Sequence, residues 1–157
     1  MIYFKKVYFN YEDRTVIEAA LRKLSVKRTG TLDLKSSTSD IGTDKYFLGY
    51  DAKNALYFTR IRSSVEKLLP KIIFNLPKNE TDFSYKFRLS LFPFILATLF
   101  SFGLLFCLAS LVTGRAQFQD FIGFIIFPAF FILLIWLELK ITSSRINKAI
   151  IKYKNSI

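Results

Sequence analysis

LSLFPFILATLFSFGLLFCLASLVTG (residues 89–114) and FIGFIIFPAFFILLIWL (residues 121–137) are two runs without a charged residue, bounded by Arg88 and Arg115 and by Asp120 and Glu138. At about 1.5 Å of rise per helical residue, each is long enough to cross most or all of a hydrocarbon core roughly 30 Å thick. The chain is therefore expected to be a membrane protein with a two-helix hairpin over residues 89–138, its helices at about 92–113 and 119–138. Residues 1–88 are left for one small water-soluble domain, near the size at which a single core offsets chain entropy. Residues 139–157 form a basic tail.

Charge sets the expected orientation. The net charge of +11 divides into about +7 in residues 1–88, zero in the loop 114–120 and about +5 in residues 139–157. Lys and Arg flanking apolar helices stay on the cytoplasmic side, so Lys86, Arg88, Lys140, Arg145 and Lys148 predict both termini inside and a multi-pass protein of the inner (plasma) membrane. The opening Met-Ile-Tyr-Phe is interrupted at once by Lys5 and Lys6, which does not fit a cleavable signal peptide.

Residue usage argues against several chemistries. Without histidine, Ser-His and Cys-His nucleophiles and the commonest zinc ligand are missing. The one cysteine, Cys107, lies inside the first apolar run and has no intrachain disulfide partner. The glycines are dispersed, with no phosphate-cradling loop leading into a helix. Asp33, Asp40, Asp44 and Asp51 have the spacing of polar strand faces and turns rather than of an acid–base pair, and Asn79-Glu80-Thr81 reads as a turn. Most Phe residues fall in the apolar runs and the basic residues flank them, so the basic, aromatic composition does not describe a nucleic-acid surface. No catalytic, cofactor or metal residue emerges, and a non-enzymatic role is expected.

Within residues 1–88 the pattern is α+β: a small, mostly antiparallel sheet of about six strands with one helix. Ile2–Phe9 suits a first strand. From Tyr11 to Leu24, Val16, Ile17, Ala20, Leu21 and Leu24 recur at helical spacing, with Asn10 as N-cap and Glu18 paired to Arg22. Val26–Lys35 alternates as a half-buried strand, closed by the polar stretch 36–43. Lys45–Tyr50 and Ala55–Arg62 flank the turn Asp51-Ala-Lys-Asn54 as a hairpin. Ser63–Leu69 fits a short helical turn stopped by Pro70, and a second hairpin joins Lys71–Leu76 to Phe83–Leu89 across residues 77–82. There Phe83, Tyr85, Phe87 and Leu89 share one face, and Ser84, Lys86 and Arg88 the other. Pro93 is harmless in a first helical turn, and Ala97, Ser101 and Gly103 permit close helix contact.

The tail continues helical spacing, with an apolar stripe of Leu139, Ile146, Ile150, Tyr153 and Ile157. It either lies in the headgroup layer or extends the second apolar helix and packs on the small domain. Asp120 and Glu138, at the two ends of that helix, are both expected to reach water. The expected anionic-lipid surface is Lys86, Arg88, Lys140, Arg145, Lys148, Lys152 and Lys154.

Tyr46-Phe-Leu-Gly-Tyr, Leu56-Tyr-Phe-Thr-Arg-Ile-Arg, Leu69-Pro-Lys-Ile-Ile, Tyr85-Lys-Phe-Arg-Leu and Trp136-Leu-Glu together resemble a group of small bacterial membrane proteins over residues 45–145. These carry a short β-rich cytoplasmic domain, loosely similar to pleckstrin-homology-like or YcxB-like modules, beside a two-helix anchor. The resemblance implies an architecture and no catalytic residues. The functional expectation is a membrane-anchored interaction or regulatory protein whose partners are the lipid bilayer and a protein or further copies of itself. Alternatives are an immunity-type protein acting against a membrane-directed toxin, and a homo-oligomeric transport or channel component.

Overall fold

The structure, a computed structural model, describes residues 2–37, 44–79, 83–114 and 122–155. The interhelical loop with Asp120, the tips of the stretch 36–43 and of the turn 77–82, and Ile157 lie outside the described residues. The fold is α+β. Strands β1 (Lys5–Tyr8), β2 (Ser25–Lys27), β3 (Phe47–Asp51), β4 (Ala55–Arg60), β5 (Ile72–Pro77) and β6 (Ser84–Leu89) make one sheet in the order β1-β6-β5-β4-β3-β2. All pairs are antiparallel except β2 with β3. Helix α1 (Asp13–Lys23) carries the chain from the β1 edge to the β2 edge, and α2 (Leu91–Val112) and α3 (Ile122–Lys154) follow the sheet.

Period-two alternation sends Phe47, Leu56, Phe58, Ile72, Phe74, Leu76, Tyr85 and Phe87 to one face. There they form the core with Ile17, Leu21 and Leu24 and with Ile146 and Ala149 of α3. Leu56 faces Leu76, and Phe58, Phe74 and Phe87 form a row across three strands. Helix α1 begins at Asp13 with the backbone carbonyls of Asn10 and Tyr11 accepting its first amides. Its neighbouring N-cap position, Glu12, makes no side-chain cap. The expected Glu18–Arg22 pair forms at 2.8 Å.

Two expected strands are shorter. β1 spans Lys5–Tyr8. β2 stops at Lys27, because Gly30 takes φ +78° and turns the chain back. The segment after it folds over the second sheet face and seats Leu32 on Leu48 and Ile73. The turn Val65–Leu68 is a 3₁₀ turn, ended by extended Leu69 before Pro70.

Both late helices are long and apolar enough to cross a membrane. Pro93 falls in the first turn of α2, where no intrahelical amide bond is lost. Gly103 meets the Phe124 ring, and Phe100 meets Phe131 edge-on with centroids 5.6 Å apart. α3 runs unbroken through Pro128 for 33 residues, so the tail is its extension and packs on α1 and β5.

Candidate functional site

Two polar clusters sit at the end of the sheet from which α2 and α3 run. The first lies on the core face. Arg60 is in phase with Leu56 and Phe58, so its guanidinium enters the core, where it is 1% exposed. Glu138, also 1% exposed, is in helical phase with Thr142, Ile146 and Ala149 and arrives from α3. Arg60 Nη2 donates to Glu138 Oε2 at 2.7 Å and Nε to Oε1 at 3.3 Å. Arg60 Nη1 donates to Glu66 Oε1 at 2.7 Å, and Glu66 Oε2 accepts the Ser63 amide at 2.8 Å. The expectation that Glu138 reaches water is therefore corrected. It sits where the strand end meets the helix, and the guanidinium replaces its hydration.

The second cluster lies under the 28–37 segment. Arg88 and Asp33 form a bidentate pair, both bonds 2.7 Å, and Asp33 Oδ1 also accepts the Leu91 amide at 3.1 Å, capping α2. The Arg88 hydrogen bonds hold the Asp33 carboxyl below the usual carboxylate range. Lys71 donates to the carbonyls of Leu32 and Lys35. Burial, and then the neighbouring Arg62 charge, lower its pKa to about 8. Beyond Arg88 the face opens into a cleft of about 270 Å³ lined by Thr31, Leu32, Asp33, Tyr50, Ala52, Tyr57 and Arg88. Tyr50 and Tyr57 stack there with centroids 6.3 Å apart. Two buried atoms on this face, Arg88 Nε and Asn75 Oδ1, have no hydrogen-bond partner among the described residues. The exposed part of this cleft is the stacked tyrosine pair, which offers aromatic contact area.

The expected lipid-facing residues do not form one surface. Arg88 leaves the set, because it is 5% exposed and paired with Asp33 under a covering segment. Lys86 is half-buried on the same sheet face, across from Asn75. Lys140 is exposed beside Trp136, its Nζ 5.2 Å from the ring. Arg145 and Lys152 both lie over the Tyr46 ring at 5.5 Å. Lys148 is exposed, and Lys154 reaches Asp13 at 3.2 Å. Among the described residues no three His, Cys, Asp or Glu side chains come together as a metal site.

Sequence reasoning missed Arg60, Glu138 and Asp33. The signal was present in the phase: Arg60 stands on the apolar face of its strand and Glu138 on the stripe of α3 that carries Ile146, so each needed a buried partner. Compared with known proteins, the chain matches no family model, and no curated protein or solved structure is significantly similar to it.

Proposed function

We propose that the chain is a membrane-anchored, non-enzymatic interaction module, with α2 and α3 spanning the inner membrane, both termini cytoplasmic, and the sheet held at the bilayer surface to bind a protein through its Tyr50–Tyr57 cleft. The observation that carries this reading is the continuity of α3. One helix of about 50 Å leaves the apolar stretch and packs its second half into the domain core. Glu138 is locked to Arg60 where the two halves meet. Domain and anchor are thereby one body, so a partner bound to the sheet is held at a fixed height and orientation over the membrane.

The same geometry divides the basic tail. With Glu138 at the surface and α3 continuing outward, Lys140 and Arg145 fall within about 10 Å of the headgroups, roughly a Debye length. Lys148, Lys152 and Lys154 rise from about 15 to 24 Å, where salt screens them. Lys140 and Arg145 therefore supply most of the anionic-lipid attraction in this reading.

The test is site-directed photo-cross-linking in intact cells from position 50, with Thr15 on the exposed side of α1 as the control. One stoichiometric protein adduct at position 50, identified by mass spectrometry and lost on Tyr57→Arg, supports the interaction module. Lipid adducts only, or the same products from both positions, would reject it. A second reading, a homo-oligomer, is favoured by the groove of about 530 Å³ between α2 and α3, lined by Leu96, Phe100, Gly103, Phe124 and Phe127. Self-adducts from Phe124 would select that reading.

A further inference from the structure

The β4–β5 connection carries two of the most exposed large apolar side chains in the domain, Val65 at 81% and Leu68 at 83%. In a 3₁₀ turn residues three apart eclipse, so Val65 and Leu68 project together on one side. Glu66 points to the other side, where it joins Arg60 Nη1 and the Ser63 amide. Arg62 Nη1 donates to the Leu69 carbonyl at 2.5 Å and fixes the far end of the turn. The apolar pair is thus held outward by these three polar bonds, one of which, Arg60 to Glu66, ties the turn to the sheet.

The position of the turn identifies what covers it. Its inner side is tied through one guanidinium to Glu138, the first charged residue after the apolar stretch of α3. Just beyond it, the Lys71 carbonyl accepts the Ser90 amide, one residue before α2 begins. The turn therefore lies between the points where both apolar helices leave the domain. On the other side of α2, Leu34 is 82% exposed next to Asp33, whose carboxylate caps that helix. Lys67, between Val65 and Leu68, is exposed and can extend its ammonium to a phosphate while its methylenes stay with the apolar pair.

We propose that the Val65–Leu68 turn is a third membrane contact, placing both side chains at the boundary between headgroups and acyl chains of the leaflet that α2 and α3 enter, with Lys67 on an anionic headgroup. The proposal rests on the membrane-spanning reading above. The occupant is lipid rather than a protein because the apolar surface is continuous in level with the two apolar helices. Its consequence is orientation: with Leu34 it braces the domain on either side of the helix pair, so the domain cannot tip about the Leu89–Leu91 connection.

The experiment uses the full chain in nanodiscs of mixed zwitterionic and anionic phospholipid, with Cys107→Ala as background. Single variants Leu68→Cys, Phe106→Cys (a lipid-facing site on α2) and Lys53→Cys (the β3–β4 turn, at the opposite end of the sheet) are labelled with bimane. Brominated lipid is then introduced. Leu68 has no packing to lose, so folding is retained. The expected result is blue-shifted emission and at least about twofold quenching at positions 68 and 106, with position 53 unchanged, as for side chains seated in the interface. Quenching at 106 with water-like emission at 68 overturns the third contact and leaves the spanning helices in place. Blue emission at 68 without bromolipid quenching overturns it in favour of a protein cover. No quenching at 106 overturns the spanning reading and this inference with it.

Discussion

Removing either partner of the Arg60–Glu138 pair tests whether domain and anchor are one cooperative body. Arg60→Met leaves the Glu138 carboxylate, 1% exposed, with the Thr142 hydroxyl at 3.4 Å as its remaining hydrogen-bond contact. That places the cost at the upper end of the about 3–5 kcal/mol expected for stranding one member of a buried ion pair. Glu138→Met leaves Arg60 still bonded to Glu66, whose side chain is 28% exposed, so the cost falls near about 3 kcal/mol. The double variant Arg60→Met/Glu138→Met strands no fully buried charge, because Glu66, which loses its guanidinium, is 28% exposed and keeps the Ser63 amide; with side chains of similar volume filling the site, it is expected within about 1 kcal/mol of the parent. The assay is amide hydrogen exchange of the slowest β4 and β5 amides in nanodiscs, under conditions where exchange reports the opening equilibrium. At 1.4 kcal/mol per factor of ten, the single variants should exchange about a hundred- to a few thousand-fold faster. The double variant should return to within about tenfold of the parent. Single variants that exchange less than tenfold faster, or a double variant no slower than the worse single, would refute the argument that this pair couples helix to sheet.

Lys71 gives a pH dependence of defined sign. Its pKa is lowered from 10.5 to about 8, so between those values the unfolded chain holds more protons than the folded one and stability rises with pH. Relative to Lys71→Met, the parent should gain about 2 kcal/mol from pH 7.5 to 9.5 in thermal or denaturant unfolding; a flat difference would show that Lys71 titrates normally. Gly49 is required by close packing rather than by a turn. A Cβ there would stand 2.9 Å from Ser25 Oγ and 3.1 Å from the buried Phe58 ring. Gly49→Ala is expected to cost about 1–3 kcal/mol and lower the melting temperature, whereas an unchanged melting temperature would show that the ring yields.

The parts of this fold written in local periodicity were legible before any coordinates. The 55–60 and 72–77 strands, the strict alternation from Phe83 to Leu89, the amphipathic 13–23 helix and the two apolar runs each carry their own face assignment, because period two or period 3.6 repeats several times within one element. The failures share a different cause. Leu32 and Leu34 were in strand phase with Val26, yet Gly30 lies between them, and one glycine at positive φ converts an alternating segment into a lid over the sheet. That lid buries Arg88, which on an uncovered face would have remained a surface cation. Glu138, seen from its neighbours along α3, follows an apolar run as a helix-end charge should; Arg60 enters the sequence reading only as part of the strand Ala55–Arg62. Their union at 2.7 Å joins residues far apart in the chain, and only their phase, each a charge on an apolar face, pointed to it. A charge in phase with core residues is therefore more informative than a charge counted toward a net total. Here that distinction moves Arg88 from the expected lipid surface to internal pairing, and in the proposed membrane-anchored reading it leaves exposed Lys140 and Arg145, together with the apolar Val65–Leu68 turn, to meet the bilayer.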